Sequence, residues 1–276
     1  MSAGRDEEVS AAVDAGARID ESVPHSARMW NYWLGGRDYY AIDKIVGDQI
    51  INEFPGIRDV ARQSRACLGR MVAHLAGQEG IRQFLDIGTG LPTHDNTHEV
   101  AQRVAPECRV VYVDHDPLVL VHARALLTGT DEGRTAYLEC DVRDPARILE
   151  AAAKTLDFTR PIGLILFGIL GNVIDDAEAA EIVRTLVDAL PSGSFVALND
   201  GTGVLDKEGR EEAIRIAIEQ GSTPYVARTP DELAGFLDGL QLLDPGVVST
   251  SQWRPNPTEV GTPQNVDAAC GLARKP

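Results

Sequence analysis

From residue 81 onward the chain alternates between two kinds of segment, and this alternation narrows the possible folds more than any single motif. "RVVYVD" (109–114), "TAYLECD" (135–141), "IGLILFGIL" (162–170) and "GSFVALND" (193–200) are short, apolar and rich in β-branched residues. Such continuous apolar runs are expected of strands buried on both faces. Between them lie helix-compatible stretches, "PLVLVHARALL" (117–127) and "DAEAAEIVRTLVDAL" (176–190), the second with Asp175 as its N-cap and Glu178 in its first turn. Strand–helix–strand repetition predicts a doubly wound, mostly parallel α/β sheet, whose ligands sit at the carboxyl ends of the strands. Farther on, Thr229, Pro230 and Glu232 open another helix, and "LLDPGVV" and "AACGLARK" read as two closing strands.

"QFLDIGTGLPT" (83–93) reads as the first strand, a glycine turn at Gly88 and Gly90, and then a helix opening near Pro92 and Thr93. Bare glycine backbone beside a helix start suits phosphate, carboxylate or nucleoside ligands. A dinucleotide fingerprint would need Gly or Ala where Thr93 stands. Asp86, two residues before the first glycine, would also repel a pyrophosphate but attract an ammonium or sulfonium group. S-adenosylmethionine carries both cations and no phosphate. Asp114 ends the next strand where an acid can hold ribose hydroxyls, since Asp116 before Pro117 can serve as the helix cap. Asp141 and Val142 end the third strand, where a carboxylate can accept from an adenine amino group and an apolar neighbour can flank the ring. Acids at three successive strand ends form one constellation.

The net charge of −16 disfavours nucleic acid as a partner and favours a small molecule. No apolar run approaches the ~20 residues of a membrane span, and the first 22 residues, acidic and small, lack the form of a signal peptide and have the composition of a disordered tail. A cytoplasmic protein is expected. Cys67, Cys108, Cys140 and Cys270 are widely spaced and read as buried free thiols. His94 and His98 in "HDNTH" mimic a zinc motif, but Asp replaces Glu and a third ligand is missing, so no metal is assigned. His98 is expected in the cofactor pocket or beside Glu99 at the surface, and His94 in solvent.

"SARMWNYWLGGRDYYAIDK" (26–44) gathers Trp30, Tyr32, Trp33, Tyr39 and Tyr40 around Gly35 and Gly36. Two readings are open: a helical segment that buries these rings on the sheet, or a lid over the ligand. The lid reading makes residues 23–80 a helical lid segment before a binding domain over 81–276. It places Gly36 and Arg37 at the cofactor's methionine carboxylate and Tyr32 against its sulfonium.

Taken together, "ARMWNYWLGGRDYYAIDK", "QFLDIGTGLPTHDNTHEVAQ", "VVYVDHDPLVLVHARALL", "DVRDPARIL" and "GLARKP" resemble an S-adenosylmethionine-dependent methyltransferase family typical of actinobacteria, formerly a domain of unknown function, from about residue 24 to the end. The resemblance implies a class I methyltransferase (Rossmann-like) fold of seven strands, ordered 3-2-1-4-5-7-6 with the last antiparallel. It also implies that Asp86, Gly88 and Gly90 contact the methionine part, Asp114 the ribose, and His115, Asp141 and Val142 the adenine. Phe167, ending the fourth strand, joins the cofactor-binding set. The chain departs from the family where the fourth strand is followed by "LGNVIDD", with Gly171 and Asn172 in place of His and Phe. It departs again after the fifth strand, with Asn199 and Asp200 in place of Ser and His. The expected activity is in-line methyl transfer to a small-molecule acceptor, with Asp200 and Tyr32, or the nearby Tyr39 and Tyr40, as candidate bases. A lyase or cyclase that releases methylthioadenosine, or a non-catalytic cofactor-binding protein, are the alternative readings.

Overall fold

Eight strands form one sheet in the computed structural model, which describes residues 20–116, 118–119, 121–122, 129–256 and 263–276. They are β1 (Gln83–Ile87), β2 (Arg109–Asp114), β3 (Arg134–Glu139), β4 (Gly163–Phe167), β5 (Phe195–Gly201), β6 (Gln241–Leu242), β7 (Val248–Ser249) and β8 (Ala268–Arg274). The order is β3-β2-β1-β4-β5-β8-β6, with β7 also on β8. The pairs from β3 to β5 are parallel, and β8 runs antiparallel to β5, β6 and β7. This is the expected order, β8 taking the seventh place. The strand expected over 242–248 is instead split into β6 and β7. Pro245 has no N–H to give a ladder, and the Gly246 N–H turns back to the Leu243 carbonyl at 2.8 Å.

Strand alternation divides the core between the two faces. Leu85, Val111, Leu164 and Val196 face one side, packed against helices α5 (Pro145–Ala152) and α6 (Asp176–Asp188) through Ile148, Ile182 and Leu186. Phe84, Val110, Ile165 and Ala197 face the other, against α3 (Ile57–Gly77) and α4 (Thr97–Val104) through Met71, Leu75 and Ala101. Local chemistry sets the helix starts as expected: the Asp175 carboxylate accepts the Glu178 N–H at 2.8 Å, and Thr229 and Glu232 form a capping box at α8 (Pro230–Gly235). The helix expected over 117–127 lies mostly outside the described residues, with 118–119 and 121–122 helical. Residues 1–19 of the acidic N-terminal stretch also lie outside them.

The aromatic segment forms α1 (Ser26–Trp33), a turn at Gly35, and then α2 (Ala41–Glu53). Met29, Trp33, Val46, Ile50, Phe54, Ile57 and Val60 make a third core with Ala213 of α7 (Lys207–Glu219). Asp43, fully buried, fixes this layer. Its carboxylate accepts the N–H groups of His25 (2.9 Å) and Tyr40 (2.8 Å) and pairs with the buried Arg28 at 3.0 Å.

Candidate active site

Gly88 and Gly90 shape the site first. Gly88 has φ +78°, and a Cβ there would lie 2.7 Å from the Ile169 side chain, so the backbone bends where only glycine fits. Its N–H donates to the Val113 carbonyl at 2.8 Å, drawing the turn across to β2. The Gly90 N–H donates to Asp114 Oδ2 at 2.9 Å, and the Asp116 N–H to Asp114 Oδ1 at 3.0 Å. Asp116 itself accepts from the Leu118 N–H at 2.8 Å, the capping job the sequence suggested for it. The helix after the turn starts later than expected. Residues 88–96 form a loop, and α4 begins at Thr97, with the Asn96 N–H on Glu99 at 2.8 Å. The delay lets Thr97 Oγ1 donate to Asp86 Oδ2 at 2.6 Å.

Asp86, Gly88, Gly90, Asp114, His115, Asp141, Val142 and Phe167 all line one cleft of about 1120 Å³ at the carboxyl ends of β1 to β4. Burial pushes the Asp86 carboxyl up to about 6, against the opposing pull of the Thr97 hydroxyl and of Arg65. Burial also raises Asp114, offset in part by the two N–H groups it accepts. Asp141 is half-exposed and accepts the Arg143 N–H at 2.9 Å.

Tyr32, Gly36 and Arg37 are not among the lining residues. The Tyr32 hydroxyl donates to Asp48 and accepts from Lys44 at 3.3 Å, on the far side of α1. Arg37 is exposed, and Gly36 packs so close to Asn31 that a Cβ would lie 2.2 Å from its Oδ1. From this segment the cleft receives Ser26, Ala27 and Trp30 instead. Two arginines line the cleft: Arg143, paired with Asp141 at 3.4 Å, and Arg65 of α3, whose guanidinium donates to the His94 carbonyl at 3.0 Å and to Asn96 Oδ1 at 3.1 Å. Nothing in the sequence marks Arg65; it is one of several arginines on an amphipathic helix.

A second cavity of about 790 Å³ adjoins the first, and Ser26, Trp30, Ser64, Asn172, Asn199 and Thr223 line both. Its walls are apolar, with Met29, Trp33, Ile50, Ile57, Val60 and Ala213. Asp200, at one end, is buried and accepts the N–H groups of Gly171 (2.7 Å) and Gly201 (2.9 Å) and the Tyr225 hydroxyl. Burial raises its pKa. Tyr225 accounts for one departure from the family pattern: a Cβ at Gly171 would lie 2.2 Å from its ring, so the ring fills the space a larger residue would occupy.

His94 is exposed, while His98 is buried with its Nδ1 2.9 Å from the Tyr112 hydroxyl, so the two histidines face different surroundings. His98 lies neither in the cleft lining nor at the surface beside Glu99, because Tyr112 of β2 draws it inward. The described residues hold no group of three or more His, Cys, Asp or Glu suited to a metal ion. Nor is any described helix long and apolar enough to cross a membrane.

No curated protein matches the chain. A crystal structure of a DUF574 family protein from Streptomyces avermitilis is 44% identical, covering 94% of this chain and all of that one, with a TM-score of 0.89. A proposed methyltransferase from Thermobifida fusca is 37% identical over 93% of this chain and 96% of its own, with a TM-score of 0.82. The model of the S-adenosyl methyltransferase family matches residues 12–276. The chain therefore belongs to that family and is a methyltransferase that uses S-adenosylmethionine.

Proposed function

We propose that the chain methylates a small molecule held in the second cavity while the first holds the cofactor. The observation that carries this reading is the shared wall of Trp30, Ser64, Asn172, Asn199 and Thr223, along which the two spaces adjoin. The first cleft fits S-adenosylmethionine. Asp86 and Arg65 present opposite charges to the two ends of an amino acid, and Asp114, Asp141, Val142 and Phe167 continue toward a nucleoside. Asp114 would hold the ribose hydroxyls, and Asp141 and His115 the adenine. Trp30 gives both spaces an aromatic wall, which suits a cation. Bound there, the cofactor supplies a methyl group on a positively charged sulfur.

The chain's part is to align an acceptor and to exclude water, and alignment of this kind contributes on the order of 7–11 kcal/mol. The acceptor's proton goes to Asp200. An ionised carboxylate has about four lone-pair sites, and three donors leave one open. Incubation with methyl-labelled S-adenosylmethionine and a panel of hydroxylated and aminated small molecules tests the reading. Labelled product with matching S-adenosylhomocysteine is expected. Methylthioadenosine formed without an acceptor would overturn it in favour of intramolecular displacement.

A further inference from the structure

The second cavity contains a charge that the proposed reaction leaves unused. Arg210 of α7 is only 7% exposed and lines this cavity. Its guanidinium carbon lies 5.2 Å from the Phe54 ring centre and 5.3 Å from that of Tyr225, so two aromatic faces fix the plane of the group. Nε has no hydrogen-bond partner. Among the described residues no carboxylate stands within 4.0 Å of the guanidinium, unlike Arg28 and Arg228, the other deeply buried arginines, which pair with Asp43 and Asp176. Asp200 is close enough for its field to reach Arg210, but its oxygens already accept from Gly171, Gly201 and Tyr225. A buried guanidinium without a carboxylate is costly to keep, and its planar fork of donors matches a carboxylate.

We infer that the acceptor is an apolar molecule bearing a carboxylate, which Arg210 binds in the second cavity beside Gly201. This rests on the two-cavity reading above and deepens it. Arg210 lines only the second cavity, whereas Ser64 lines both, and the buried Ser64 Oγ also has no partner. The cavity thus offers an anion anchor, a hydroxyl on the wall shared with the cofactor cleft, and the apolar side chains of Met29, Ile50, Ile57 and Val60. The ligand this fits is a hydrophobic acid that also carries a methyl-accepting hydroxyl or amine. A phosphate dianion would bring two negative charges beside the buried Asp200 with one arginine to balance them.

The test is calorimetry on full-length protein saturated with S-adenosylhomocysteine, with 6-hydroxy-2-naphthoate and its uncharged partner 6-hydroxy-2-naphthamide as probes. The acid should bind at least about tenfold more tightly than the amide, the scale of a charge-assisted contact. Arg210→Met, which keeps the side chain's apolar bulk, should erase that preference, and Arg210→Lys should retain part of it, with S-adenosylhomocysteine affinity unchanged in both. Equal binding of acid and amide by the wild type, or no binding of either, would overturn the inference whether or not the variants fold. So would a preference that survives in a folded Arg210→Met. Failure of the wild type to bind S-adenosylhomocysteine would instead sink the cofactor placement, and this inference with it.

Discussion

Gly90 and Asp114 are joined by a hydrogen bond of 2.9 Å from the glycine N–H to Oδ2, so the acid at the end of β2 holds the turn after β1 in place. Asp114 thus organises the cleft as well as lining it. Asp114→Ala is expected to weaken S-adenosylhomocysteine by about 1.5–3 kcal/mol, the scale of charge-assisted hydrogen bonds, and to lower Tm by a few degrees as the turn loosens. Calorimetry and thermal unfolding on one preparation check both. Unchanged affinity in a folded variant would leave Asp114 only the structural role.

Gly88→Ala would need both a left-handed residue and room for a Cβ 2.7 Å from Ile169. Backbone strain and overpacking together should cost about 2–4 kcal/mol. Denaturant unfolding should show the loss, and Ile169→Gly in the same chain, which removes the clashing Cβ, should make the added cost of Gly88→Ala smaller than in the wild type. An unchanged cost would mean that backbone strain accounts for the whole effect.

Asp86 holds its proton more tightly in the folded chain, at about 6 against the ordinary 3.8, because burial disfavours its charge. Folding therefore takes up a proton between those values. The stability tied to this group falls as pH rises through that window, and above it the full penalty of about 3 kcal/mol is present. Asp86→Asn should unfold at a higher temperature than the wild type at pH 7.5, with the gap closing toward pH 4, and should bind S-adenosylmethionine more weakly. A Tm difference that does not change with pH would refute the linkage.

Asp43 is fully buried, and the α1–α2 layer depends on it. Asp43→Ala would strand the Arg28 charge and two N–H groups, a loss of about 3–5 kcal/mol. A double-mutant cycle with Arg28→Met isolates the pair. Since α1 supplies Trp30 to both cavities, limited proteolysis within residues 26–44 should accelerate in the variant. Unaltered cleavage would mean that the other contacts suffice.

The sheet was legible because strands buried on both faces leave runs such as "RVVYVD", and β2 begins and ends where that run does. The acids at the strand ends were legible for the same reason: strand order brings Asp86, Asp114 and Asp141 to one cleft. The α1–α2 segment misled because Gly35, Gly36 and Arg37 look like a ligand turn, yet helix phase decides which ring faces inward. Trp30 reaches the cavities, while Tyr32, two residues on, meets Asp48. Arg65, Arg210 and Tyr225 carry no local signature at all. Each reaches the site through packing between elements distant in sequence.

β8 follows every other described element in the chain yet lies between β5 and β6, and its Ala269 carbonyl holds the Asn199 side chain at 3.0 Å. Without β8 the edge of β5, buried along its whole length, would stand unpaired, and Asn199, which lines both cavities, would lose the carbonyl that holds it. Loss of β8 would leave an exposed strand edge, the kind that recruits other chains. Resistance to aggregation thus rests on the pairing of β8 with β5.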